Sequence, residues 1–337
     1  MKYAFYPGCS LEGTARDFGV STLAVAARLG IELEEIPGWI CCGSTAAHQS
    51  DPLLSLALPA QTLLAAGRMN GNGRRMPVAV CCAACYNRLK MTNYQVSRDA
   101  ETRSRVAQVV GEDYDAQTPV LHLLEILAGN SGADPVFPRI AEQVRRPLTG
   151  LKVACYYGCL LTRPHEVTQF DASHDGENPM LMEQVLEAAG ATPLDWPHKS
   201  ECCGASYSIT DVSIVHELTR EVLLMAMRSG ADCIAAACPL CQLNLDMRQK
   251  EILAKYPDAF APFGGKTLPV FYFTQLLGLA MGLSAKELSL KSLVVNPMPL
   301  LESKGLSICD FRFSIGGQPS RTVAQSTIEN RKSEKTA

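Results

Sequence analysis

"KYAFYPGC" at residues 2–9 returns as "KVACYYGC" at residues 152–159. Each reads as a short strand of alternating apolar residues that ends in Tyr-x-Gly-Cys. The correspondence continues along the chain. "EIPGWICCG" (35–43) answers "DWPHKSECCG" (195–204), and "VAVCCAACYNRL" (78–89) answers "CIAAACPLCQLNL" (233–245). "PVLHLLEILAG" (119–129) answers "PVFYFTQLLGLAMG" (269–282). The order of the segments is the same, so the chain reads as a tandem duplication. Two copies with so long a period exclude a solenoid.

The pattern predicts strands at 2–8, 31–36, 77–81 and 119–122 and helices near 14–29, 52–67 and 84–97, followed by a closing helix. The second half repeats this with strands at 151–155, 191–194, 232–237 and 269–272 and helices at 178–189, 211–229, 239–255 and 273–282. Strands alternating with helices imply an α/β fold: two tandem, pseudo-symmetric parallel sheets with helices on both faces. The expected division is a first domain at 1–130, a linker at 131–150, a second domain at 151–290 and a C-terminal extension at 291–337. From about 310 the composition turns polar, and disorder is expected there.

The chain has 337 residues, 47% hydrophobic and 19% charged, which is enough for a large core. A net charge of −3 with no basic run gives no reason to expect nucleic acid or an anionic membrane as partner. The dinucleotide fingerprint and the phosphate loop are missing. The N-terminus does not read as a signal peptide, and the apolar stretches 52–67 and 270–283 are interrupted or too short to span a bilayer. These features lead us to expect a cytoplasmic protein. Thiols stay reduced in that compartment, so its cysteines favour metal or redox chemistry over disulfides.

Of the 14 cysteines, ten fall into two matching sets. The first is Cys9, Cys41-Cys42 and Cys82-Ala-Ala-Cys85; the second is Cys159, Cys202-Cys203 and Cys238-Pro-Leu-Cys241. Cys9, Cys81, Cys82, Cys155 and Cys159 fall at the ends of predicted strands, where parallel sheets collect their ligand groups. A Cys-x-x-Cys pair at a helix start sits where free N–H groups and the helix dipole lower thiol pKa. In Cys-Cys-Gly, the glycine lets the backbone turn sharply beside two adjacent sulfurs. Thiolates select zinc, Cu(I) or iron–sulfur clusters, and zinc saturates at four ligands. Five sulfurs per half suit an iron–sulfur assembly better. A zinc-held scaffold without redox activity is the bland alternative.

With "YPGC", "CCG", "CAACYNRL", "YYGCLLTRP", the second "CCG", "CPLC" and the late "NPMPLLESKGL", the chain resembles the CCG, or cysteine-rich, domain family over about residues 1–305. Within that family it is similar to the B subunit of heterodisulfide reductase. The resemblance implies that each half holds a noncubane [4Fe-4S] cluster on five cysteines. The ligands carried over are Cys9, Cys41, Cys42, Cys82 and Cys85, then Cys159, Cys202, Cys203, Cys238 and Cys241. Two gaps, Cys42 to Cys82 and Cys159 to Cys202, run a few residues longer than the family's, which loop insertions would explain; zinc in one half is the alternative metal. The implied activity is an oxidoreductase acting on sulfur groups within a complex, cleaving or forming a disulfide or sulfur-carrier bond between the two clusters. The implied partners are the small ferredoxin-like subunit and the flavin-bearing subunit of such a complex. A different reading within the family is an electron-transfer subunit of a glycolate- or lactate-oxidase-type complex, with no disulfide substrate of its own.

Other residues carry weaker signals. Cys41, Cys42, Cys202 and Cys203 are expected at the reacting centre. His198 and Lys199, just before Cys202, read either as proton donors or as a solvated loop. Cys81 is a possible substitute ligand for Cys82. Cys155 and Cys233 read as core thiols, and Cys309 as an inert or free surface thiol. Arg163 reads as an anion contact or a solvated side chain, and His48, His165 and His174 as surface groups. Tyr6, Tyr86, Tyr156 and Tyr157 read as packing around the ligands.

Overall fold

Short strands of each half pair into one parallel sheet. The computed structural model of the chain describes residues 1–306 apart from 45, 46, 72, 73, 130–134, 172 and 173. The first half contributes β1 (Lys2–Tyr6), β2 (Glu32–Glu35), β3 (Val78–Val80) and β4 (Val120–His122), side by side in the order β2-β1-β3-β4. The second contributes β5 (Lys152–Tyr156), β6 (Thr192–Pro193), β7 (Cys233–Ala236) and β8 (Val270–Tyr272), in the matching order β6-β5-β7-β8. Register matches too: Tyr6, Val80 and His122 lie in line in one sheet, as Tyr156, Ala236 and Tyr272 do in the other.

The sequence explains each place in the order. Central strands β3 (VAV) and β7 (CIAA) are apolar on both faces and wholly buried, as helices above and below require. Strand β2 reads ELEE and forms an edge, where Glu32 and Glu34 pair with Lys2 at 3.0 and 2.7 Å. The other edge strand, β6, is two residues long and ends in Pro193, which an edge tolerates because proline lacks an N–H to donate.

The expected long helices form with small boundary shifts: Arg16–Arg28, Leu54–Gly67, Ala83–Arg98 and Val212–Arg228. Besides several helices of four to six residues, three longer segments differ. The helix expected over 239–255 breaks at Arg248 (φ −90°, ψ −1°) into Pro239–Met247 and Gln249–Lys255. A helix at Ala100–Val110 has no counterpart among the expected elements. It starts where the Asp99 carboxylate accepts from the N–H groups of Glu101 and Thr102 (3.1 and 3.2 Å), and it stops at Gly111 with φ +83°. Within the expected linker, Phe137–Gln143 is also helical.

The two halves meet through a pseudo-twofold interface. Arg16–Arg28, which follows β1, packs on Phe273–Ala280, which follows β8. Leu181–Ala188, which follows β5, packs on Leu123–Ala128, which follows β4. Phe18 stacks on Tyr272 (4.1 Å between centroids, planes 2° apart) and meets Phe273 edge-on at 5.9 Å. The Ser21 and Thr274 hydroxyls hydrogen-bond at 2.7 Å, and Tyr86 donates to the Thr168 carbonyl at 2.8 Å. One apolar core therefore runs through both halves. Phe18 is fully buried in it. Phe18→Ala is expected to lower unfolding free energy by about 3–5 kcal/mol in urea denaturation; a loss under about 1 kcal/mol would show that this seam carries little of the stability.

Residues after 290 fold back over the join. The Asp246 carboxylate accepts from the N–H groups of Val294 (2.7 Å) and Val295 (2.9 Å), and Ser292 donates to Asp17 at 3.0 Å. Cys309 and the tail expected to be disordered lie outside the described residues.

Candidate metal centre at the carboxyl ends of the two sheets

In each sheet the chain leaves the first strand toward one edge and returns on the strand's other side. The gap between β1 and β3, and its twin between β5 and β7, is therefore the topological switch point where parallel sheets bind ligands. Cys9 follows β1 and Cys82 follows β3; Cys159 follows β5 and Cys238 follows β7.

The two halves build these turns alike. The Tyr6 hydroxyl donates to the Ile40 carbonyl at 2.8 Å, and Tyr156 donates to Glu201 at 2.6 Å. Each tyrosine thereby ties a strand end to the residue just before a Cys-Cys-Gly triplet. In the triplets, Gly43 N–H donates to Cys41 Sγ (3.5 Å) and Gly204 N–H to Cys202 Sγ (3.3 Å), with φ +70° and +78° at the two glycines. Gly8 and Gly158 leave no room for a side chain. A Cβ there would stand 3.0 Å from Cys85 Sγ and 2.8 Å from Cys241 Sγ. Cys82 and Cys238 are the N-caps of Ala83–Arg98 and Pro239–Met247, so Cys85 and Cys241 lie in the first turns, at the positive end of each helix dipole.

Each of the ten thiols of the two sets interacts with another member. Cys9 and Cys41 are 4.0 Å apart, Cys42 and Cys85 3.4 Å, and Cys203 and Cys241 3.5 Å. Cys159 pairs with Cys202, Cys82 with Cys85, and Cys238 with Cys241. The thiols of Cys82 and Cys238, counterparts in the two halves, also shift each other across the interface, Cys82 up and Cys238 down. Burial follows the same gradient in both halves. Cys9 and Cys41 are exposed and Cys159 and Cys202 half-buried, whereas Cys42, Cys82, Cys85, Cys203, Cys238 and Cys241 are buried.

Crowding makes these thiols unequal acids. Hydrogen bonds from Cys41 and then Cys85 hold the Cys42 thiol well below its ordinary range. The Cys159 thiol pulls Cys202 down to about 6, and Cys241 and Cys82 pull Cys238 down. Their donors rise in exchange: Cys41, Cys159 and Cys241 all lie above the usual thiol value. Each set favours some ionised sulfur, the form in which cysteine binds metal.

Among the described residues, no group of three or more His, Cys, Asp or Glu side chains is disposed as it stands to hold a metal ion. The sulfurs touch one another in pairs instead of surrounding a point. The donor set nevertheless suits a polynuclear thiolate centre. It is all sulfur, it comes from three chain segments per half, and its glycines bring backbone against sulfur where a Cβ would collide.

The remaining candidates fall on both sides of this boundary. Cys81 turns away from its neighbour Cys82 toward Thr22 (3.7 Å to Oγ1), and burial pushes its thiol up to about 12. Cys155 and Cys233 are fully buried core thiols, also pushed up by burial. Lys199 is buried, with its ammonium 2.8 Å from Glu183, whose carboxylate also accepts from the Tyr157 hydroxyl. It lies in an internal ion pair, not in a solvated loop. The His198 ring stacks on Trp196, and its Nδ1 is buried without a hydrogen-bond partner among the described residues. Arg163 is taken up by Glu177 and the Ser200 carbonyl. His48 and His165 are exposed, and His174 pairs with Asp171. Tyr6, Tyr86, Tyr156 and Tyr157 are buried against the turns.

Sequence reasoning passed over His122, Arg88, Asn244 and Glu183. His122 is fully buried, and burial pushes it down to about 4, so it is neutral. Its Nδ1 accepts from Leu124 N–H at 3.3 Å, which leaves the proton on Nε2, 3.0 Å from the Cys81 carbonyl and near that of Ala237. Those carbonyls immediately precede Cys82 and Cys238. The available signal was a histidine at the C-terminal end of a predicted strand.

The sequence profile of the cysteine-rich (CCG) domain matches residues 3–90 and 153–246. The chain is 33% identical to the 8-methylmenaquinol:fumarate reductase membrane anchor subunit of Wolinella succinogenes, over 89% of this chain and 99% of that one. It is 28% identical to the B subunit of the ferredoxin:CoB-CoM heterodisulfide reductase of Methanosarcina mazei, over 89% and 96%. It is 25% identical to a protein of Archaeoglobus profundus described as like the B subunit of heterodisulfide reductase, over 86% and 93%. A crystal structure of a hypothetical protein from Helicobacter pylori superposes with a TM-score of 0.63 at 11% identity, covering 88% of this chain. The chain spans about half of that structure, 52% of its length. Among the described residues, no helix is long and apolar enough to cross a membrane.

Proposed function

This chain belongs to the cysteine-rich (CCG) domain family, carrying the domain twice, and from that premise we propose that it is the catalytic iron–sulfur subunit of a heterodisulfide reductase-like complex. In this reading, residues 1–130 and 151–290 are the two domains, and each holds a noncubane [4Fe-4S] cluster. Between them a disulfide or sulfur-carrier bond is cleaved or formed. The observation that carries the proposal is the convergence of two equivalent five-cysteine sets, with the Cys82 and Cys238 thiols acting on each other across the interface.

Such clusters, when bound, supply one-electron transfer and iron with affinity for sulfur. The chain's own residues do the rest. Cys9, Cys41, Cys42, Cys82 and Cys85 would hold one cluster, and Cys159, Cys202, Cys203, Cys238 and Cys241 the other. The N–H groups of Gly43 and Gly204 and the helix starts at Ala83 and Pro239 stabilise thiolate. The six buried cysteines exclude water from the inner side. Cys9, Cys41, Cys159 and Cys202 mark the side open to substrate and to electron partners. A disulfide takes two electrons, and two one-electron centres facing one bond match that requirement. The proposed electron partners are a ferredoxin-like subunit and a flavin-bearing subunit of the same complex. That part of the reading is supported by the named relatives being subunits of reductases.

A second reading has its own support. The relative with 33% identity is named as a subunit of a fumarate reductase, which favours an electron-transfer subunit with no disulfide substrate. Low-temperature EPR of the anaerobically purified protein separates the two readings. The catalytic reading expects roughly eight iron atoms per chain, from two four-iron clusters, and signals that change on adding a thiol or disulfide. Unchanged signals would favour the relay, whereas roughly two irons or fewer would overturn both; about four irons with one zinc would place zinc in one half.

A further inference from the structure

We propose that Arg88 makes the two centres electrochemically unequal, holding the first-half centre at the higher reduction potential. The inference rests on the reading above, and its first observation comes from the repeat. Aligning "CAACYNR" with "CPLCQLN" sets Arg88 against Asn244, each three residues beyond the second cysteine of its Cys-x-x-Cys. Asn244 is 2% exposed and shows what this position does. Its side-chain amide donates to the Cys203 carbonyl at 3.3 Å and lies 3.9 Å from Cys203 Sγ. The position therefore faces the second cysteine of the Cys-Cys-Gly triplet.

In the first half the same position carries a cation. Arg88 is 9% exposed, and among the described residues no salt bridge or hydrogen bond holds its guanidinium. The charge that acts on it is the Cys42 sulfur, the counterpart of Cys203. A guanidinium on a largely buried side chain with no carboxylate partner carries a desolvation cost, and ionised sulfur beside it offsets part of that cost. Adding an electron to a thiolate-bound centre increases its negative charge. A fixed cation at close range favours that state, and a neutral amide does so much less. Ligand sets identical in number and order thus differ by one unit charge at this position; the charged groups acting on the second set, Arg163 and Glu201, are of opposite sign, and Arg163 is already paired with Glu177.

The test is an EPR-monitored redox titration of the anaerobically purified full chain and its variants. Two separated midpoint potentials are expected in the wild type. Arg88→Asn, which copies the second half, should lower one of them by at least a tenfold change in the reduced-to-oxidised ratio, about 59 mV for a one-electron couple. The other potential should stay, and Arg88→Lys should keep most of the wild-type separation. If Arg88→Asn moves neither potential, or both equally, the proposal is overturned although the two-cluster reading stands. A wild type with fewer than two iron–sulfur centres overturns that reading and takes this one with it. Should Arg88→Asn not fold, Arg88→Gln supports the same comparison; misfolding of both would assign Arg88 to holding the fold and end the proposal.

Discussion

Lys199→Met is expected to destabilise the protein by about 3–5 kcal/mol, because it leaves the Glu183 carboxylate buried without its cation. Lys199 and Glu183 are both 2% exposed, and their charges lie 2.8 Å apart. Burial raises the Glu183 pKa and the ammonium opposes that rise, so the pair is held by mutual neutralisation. The damage should reach the second ligand set through the backbone, since the Lys199 carbonyl accepts from the N–H groups of Tyr157 (2.8 Å) and Gly158 (3.1 Å). Replacing both partners, as in Lys199→Met with Glu183→Leu, should recover a large part of the loss, because two apolar groups leave no orphaned charge. Urea denaturation of the single and double variants measures this directly. A Lys199→Met protein as stable as wild type but inactive would restore the proton-donor role that its place before Cys202 first suggested.

Gly158→Ala should cost the second half its metal and leave the first half loaded. Gly158 has φ +70° and ψ 178°, a region open almost only to glycine, and forcing alanine there costs about 1–3 kcal/mol. Its new methyl would also stand 2.8 Å from Cys241 Sγ, a buried sulfur that would have to shift. Iron content near half that of wild type, with one of two EPR signals lost, is the expected outcome. Full iron content would show that Cys241 moves freely or is no ligand. Gly8→Ala is the milder control, with its contact at 3.0 Å to Cys85 Sγ.

Most of the architecture was legible because it is written twice. A single "KYAFYPGC" is a weak strand signal; its return as "KVACYYGC" fixes the period, the strand ends and the matching cysteines together. Helix boundaries moved by one to three residues. The helix Ala100–Val110 was missed because its first half is almost wholly polar and its valines, Val106, Val109 and Val110, crowd into its end, although Asp99 and Gly111 mark its limits. The ten cysteines were legible as sets, but their contacts were not. That Cys82 meets Cys238 depends on how the helices of one half seat on the other, which no local pattern encodes. Lys199 shows the opposite limit: proximity in sequence to Cys202 suggested chemistry, while its true neighbour, Glu183, lies on a helix earlier in the chain. Arg88 and His122 escaped notice although both lie in repeated segments, because the other copy carries Asn244 and Tyr272 at those places; their interest comes only from what surrounds them once the chain is folded.

A contact on a twofold axis is one that a residue makes with its own twin. Cys82 and Cys238 occupy that place, and the seams to either side of them match, as in a symmetric dimer. In a dimer of identical subunits every substitution is made twice, so neither site can specialise. Joining the copies in one chain lifts that restriction while keeping the geometry. Arg88 opposite Asn244, and His122 opposite Tyr272, are differences that only a fused gene can keep.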